Sequence, residues 1–143
     1  MGAPAFELPN MMAGFWPANV DLSAESTPGQ PTYQFSSITL VTPSGTGVTS
    51  EAGAALALAA SGAPILGVLQ DNPAIGVAGS VMLQGISKAK IGTGGCTVMQ
   101  PLMADGLGGF IPATSGNDAS AIALCAATAG AIAPIFIKAL GKR

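Results

Sequence analysis

The chain has 143 residues, of which 49% are hydrophobic and 8% charged, with a net charge of −2. That length allows one domain with a core of its own. Histidine is absent, which excludes Ser-His-Asp and Cys-His nucleophile systems, zinc–histidine sites and the commonest general base. Charge this sparse, against a usual ~25%, points to a surface covered by copies of the chain itself or by a larger partner.

The few charges are unevenly placed. Residues 1–87 hold Glu7, Asp21, Glu25, Glu51 and Asp71 and no base, a net of −5, whereas residues 88–143 hold Lys88, Lys90, Lys138, Lys142 and Arg143 against Asp105 and Asp118, a net of +3. This basic end is too thin for nucleic-acid binding, which usually needs about six to ten phosphate contacts. The opening MGAPAFELPN has neither a basic n-region nor an apolar h-region, so no secretory signal is expected. Phe6 stands where a myristoylation signal requires Ser or Thr.

In chain order, residues 1–35 come first and differ from the rest. They hold five of the seven aromatics (Phe6, Phe15, Trp16, Tyr33 and Phe35) and five of the eleven prolines (Pro4, Pro9, Pro17, Pro28 and Pro31). Proline at this density disfavours helices and central strands, so Asn10–Phe15 is expected to form at most one short turn. Ser23–Pro31 reads as a linker. The segment is therefore an extended N-terminal arm without a core of its own. Its five aromatics must be buried on its own domain or on a neighbour, which makes them the candidate partner interface.

Residues 36–143 read as a compact β domain. Ser36–Val41 is a first strand, rich in β-branched residues. Ala52–Ala60 has a helical composition but the length and context of a strand, and both readings stay open, with strand preferred. Ile65–Leu69, Ser80–Gln84, Ile86–Ile91, Thr97–Met103 and Gly109–Ile111 follow, with Gly85 marking a bulge or bend. Ala121–Ala127 and Ala133–Leu140 close the chain, and Pro134 suits a strand's first residue. Short apolar runs separated by turn formers every ~8–12 residues imply an all-β fold, a small barrel or sandwich. Two uncharged stretches, 52–70 and 119–137, reach transmembrane length. Both are dominated by Ala and broken, by Ser61-Gly62 and Pro64 and by Gly130 and Pro134. A small integral membrane protein is therefore the alternative reading.

No chemistry-bearing constellation emerges. Cys96 follows Gly94-Gly95 and would need Lys88 or Lys90 to lower its pKa; a small residue flanking a turn accounts for it better. Cys96 and Cys125 form no CxxC and no disulfide framework. Asp71-Asn72 and Asp105-Gly106 are turn formers. Gly92-Thr93-Gly94-Gly95 and Gly106-Leu107-Gly108-Gly109 lack the Lys-Ser/Thr of a P-loop. No catalytic, cofactor or metal site is expected.

The order of the turns in residues 60–140 is more specific. Gly67-Val68, Asn72-Pro73, Gly76, Gly85-Ile86, Pro101-Leu102, Asp105, Gly108 or Gly109, and Pro112-Ala113-Thr114 follow a pattern that resembles the capsid cement, or head-decoration, proteins of tailed bacteriophages. Gln100 stands where that family usually has Gly. The resemblance implies a non-enzymatic virion protein, a compact β-barrel or sandwich and commonly a homotrimer. It also implies a seat on the outer capsid surface at capsomer junctions, with the major capsid protein as partner and neither nucleic acid nor membrane bound. A β domain from a phage tail or fibre is a further alternative.

Overall fold

The computed structural model describes residues 12–27, 30–49 and 53–142. Within them the chain is all β: β1 (Met12–Pro17), β2 (Glu25–Thr27), β3 (Gln30–Pro31), β4 (Ser37–Val41), β5 (Ala55–Leu58), β6 (Gly67–Leu69), β7 (Ala78–Lys90), β8 (Pro101–Ala104), β9 (Phe110–Pro112), β10 (Asp118–Ala123) and β11 (Ile132–Lys142). β2 and β3 form a separate ribbon. The other nine make one sheet in the order β5-β4-β6-β7-β11-β10-β8-β9, with β1 also on β7. Every strand pair in it is antiparallel, and the sheet curls into a half-barrel.

β7 is the spine. The expected strands 80–84 and 86–91 are one continuous element of 13 residues, and Gly85 is the joint. Its φ of 107° lies where only glycine is unstrained. Through Gln84, β7 pairs with β1; from Gly85 onward it pairs with β11. The change of partner divides the sheet into two wings. One consists of the first half of β7 with β1, β6, β4 and β5, and the other of its second half with β11, β10, β8 and β9. Each wing curls back on itself. Leu56 of β5 bridges Ala18, just beyond β1, and Phe110 of β9 bridges Ile91, just beyond β7.

The interior is divided into two cores, the second of which reaches into the first wing through Val68 of β6 and Met82 of β7. Ala18, Leu22, Ile38, Leu56, Leu69 and Val81 form the first. The second gathers Ile91, Leu102, Phe110, Ile135 and Ile137 with Ala89, Ala121, Ala123 and Ala133. Fully buried side chains of Phe110 or Leu102 size contribute about 1.5–3 kcal/mol each. Buried alanines of β7, β10 and β11 share this core with Phe110, so the alanine-rich segments contribute to the interior.

Ala55–Leu58 is a strand, the preferred of the two readings for 52–60. The two stretches of transmembrane length contain β5 and β6 and overlap β10 and β11, and among the described residues no helix is long and apolar enough to cross a membrane. Further expectations are corrected. Ser23–Pro31, read as a linker, carries the antiparallel β2–β3 ribbon. Residues 12–17 form a strand where at most a turn was expected at 10–15. Pro17 closes that strand instead of interrupting it, so the amide groups before it stay free to pair with β7. Thr97–Gln100 is a turn, and the strand starts only at Pro101. Gln100 accepts the Thr97 N–H on its side chain at 2.9 Å, and Met99 adopts a φ of 63°. Pro134 is the third residue of β11 and sits opposite Lys88.

Candidate interaction surfaces

The five arm aromatics have different surroundings. Phe6 lies outside the described residues. Trp16 and Tyr33 are half-buried against the first-wing core. Phe35 packs against the second, and its backbone ties the two wings together. It donates its N–H to Leu69 O at 2.7 Å and accepts the Lys90 N–H at 3.0 Å. Those two bonds hold a non-glycine residue at a φ of 66°, a conformation that costs roughly 1–2 kcal/mol. Lys88 Nζ stands 5.9 Å from the Phe35 ring centroid, and Lys90 Nζ donates to Thr32 O. Phe15 differs from these three. It alternates with Trp16 along β1 and is 71% exposed. The structure thus brings Trp16, Tyr33 and Phe35 onto the chain's own cores and leaves Phe15 facing outward.

The turn-forming acids act on their own backbone. Asp105 Oδ1 accepts the N–H groups of Leu107 at 2.7 Å and Gly109 at 2.8 Å, which shapes the β8–β9 connection. Asp71 accepts the Ser80 N–H. Asn19, which the sequence reading did not single out, accepts the N–H groups of Ser44 and Gly45 at 2.8 and 3.0 Å and so pins the loop after β4 to the end of β1. No sequence signal marks it beyond the general tendency of Asn to bond neighbouring backbone.

Two concavities stand out among the described residues. One, of about 210 Å³, lies between Pro64–Leu66, Leu83, Asp118–Ser120 and the far end of β11. The other, open and about 510 Å³, is lined by Cys96, Cys125 and Ala126–Thr128 with Ala131–Ala133. Both cysteines are free thiols. The Cys96 thiol donates to Cys125 O at 3.5 Å, and burial pushes its pKa above the ordinary value, the opposite of what a nucleophile requires. Among the described residues no group of three or more His, Cys, Asp or Glu is placed to hold a metal.

Exposed apolar side chains supply the remaining candidate surface. Exposed Ile86 on β7 stands opposite half-buried Phe136 on β11, and Phe136 opposite half-buried Ile122 on β10, in one row on the solvent side of the second wing. Val20, Ile75 and Val77 form another group, around Ala18.

No family model matches the chain, and no curated protein matches it in sequence. Its fold is similar to a solved structure, the head fiber gp8.5 N base of bacteriophage phi29. The TM-score is 0.66 at 12% identity, over 93% of this chain and 98% of that one. A likeness at that identity is one of fold, and it places the two-winged half-barrel among folds that a phage head fiber also uses.

Proposed function

We propose that this chain is a non-enzymatic structural protein of a tailed-bacteriophage virion, attached to the head. The observation that carries this reading is the end-to-end fold likeness to a head-fiber base, at a TM-score of 0.66. The sparse charge of the chain and the order of its turns support it independently. In the finer reading the chain is a cement or decoration protein. It sits on the outer capsid surface at capsomer junctions as a homotrimer, bound to the major capsid protein and to neither nucleic acid nor membrane. Repeated weak contacts around a symmetric shell supply avidity without a single strong site. The arm contributes the contact through outward-facing Phe15, backed by Trp16, Tyr33 and Phe35, with Phe6 further along the arm.

The test is to mix purified chain with bare phage heads, sediment them and image the pellet. Surface density at fixed lattice positions is expected. Chain left in the supernatant at saturating concentration would sink the reading. A second reading, the base domain of a longer head fiber, is favoured by the nature of the structural neighbour. It predicts density that continues outward beyond the β domain on native particles, whereas a cement protein ends there.

A further inference from the structure

Two apolar patches of opposite charge lie toward the two ends of β7. The first is the row Ile86–Phe136–Ile122, in which Ile86 is 58% exposed. Lysines border it: Lys88 stands opposite Pro134, Lys90 opposite Ile132, and Lys138 follows Phe136 two residues on along β11. No carboxylate occupies a register position in these rows. The second patch is Val20, Ile75 and Val77, which are 43%, 43% and 53% exposed. Ala18 draws them together, since it bridges Ile75 and donates its N–H to Val77 O at 3.0 Å. Exposed Asp21 borders this patch. Its carboxylate accepts the hydroxyl and N–H of Ser23, which hold its pKa below the ordinary carboxylate value and keep it charged. Val77 and Ile86 are nine positions apart along the chain, at most roughly 30 Å, and are held at fixed places on one continuous sheet that bends at Gly85. A single copy therefore cannot cover one patch with the other.

We propose that the two patches meet between copies, the lysine-bordered row of one chain docking on the Asp21-bordered patch of the next. The complementary charge is already in the chain, acidic before Lys88 and basic after it. The inference rests on the self-association proposed above and specifies its faces. The contact is head to tail, so repetition closes into a ring or runs open, unlike a two-fold contact that pairs one patch with itself.

Sedimentation of the full-length chain tests this. The wild type is expected to self-associate, less tightly as salt rises from about 0.05 to about 0.5 M. Ile86→Glu with Lys138→Glu breaks one face, and Asp21→Lys with Val77→Lys breaks the other. Each double variant alone is expected to associate at least tenfold more weakly, with an unchanged circular dichroism spectrum. Mixed one to one they are expected to regain association through the junction between the unaltered patch of one variant and the unaltered row of the other. Lys138→Glu alone, a change at an exposed side chain, is expected to weaken association in the same direction. Double variants that associate as the wild type does, or a mixture that gains nothing over its components, would overturn the head-to-tail contact. A wild type that stays monomeric at every concentration would instead remove the self-association on which the inference rests.

Discussion

Phe15 and Trp16 are neighbours in sequence and have opposite surroundings, because successive side chains of a strand point to opposite faces. Trp16 packs half-buried against the first-wing core and Phe15 faces outward at 71% exposure. That there are aromatics here is plain in the sequence; which of them faces out depends on the register of β1 on β7, a long-range pairing. Among the turn acids, Asp105 was legible for the opposite reason. Asp105 bonds backbone two and four residues on, so its local sequence contains what it does, whereas Asp71 reaches Ser80, nine residues away at the start of β7. Cys96 provides a test at this scale. Burial, the first cause of its raised pKa, favours the neutral thiol in the folded chain. Unfolding therefore releases a proton once pH passes the ordinary thiol value of 9.0, and stability falls as pH rises from there toward the folded value. Cys96→Ala is expected to flatten that alkaline decline, as measured by denaturant unfolding at a series of pH values. A slope unchanged by the substitution would contradict the assignment.

Among the elements, β7 gathers the most consequences. Gly85 lets the strand turn from β1 to β11 without ending. Gly85→Val places a β-branched residue at a φ of 107° and is expected to cost about 1–3 kcal/mol or more, read as a lower denaturation midpoint. A value within 0.5 kcal/mol of wild type, roughly that of an ordinary surface change, would contradict the hinge. Gly67 serves a related purpose on β6, where a side chain would run into the Met82 carbonyl of β7. β1 tests the architecture more severely. Deleting residues 1–22 removes the strand along β7 together with the buried Ala18 and Leu22. Each large buried side chain lost costs about 2–5 kcal/mol against a total stability of about 5–15 kcal/mol. Loss of cooperative unfolding is expected, and a truncated chain with an unaltered melting transition would refute it. The proline-rich composition concealed this strand, because proline argues against a ladder only where its missing N–H would have been used. Pro17 sits at the strand's end.

For the whole molecule, the two wings on one spine give the chain two small cores and several outward faces. In the proposed virion setting, Phe15→Ala removes an exposed ring without opening a core. Particle occupancy is expected to fall by at least tenfold in affinity, about 1.4 kcal/mol, with the unfolding midpoint unchanged. Occupancy equal to wild type would relieve Phe15 of the role. The same substitution separates the arm contact from the contact between copies, since Phe15 belongs to neither patch at the ends of β7.

By itself the sequence determined the all-β class, most strand positions, the local turn at Asp105 and the absence of histidine chemistry, because alternation and turn propensity act over a few residues. The tertiary structure alone decided that 12–17 joins the sheet, that 78–90 is one bent strand serving two wings, and that Trp16, Tyr33 and Phe35 turn inward while Phe15, Ile86 and Val77 face out. Those outcomes depend on which strands pair and in what register, and pairing is chosen by contacts between residues far apart in the chain.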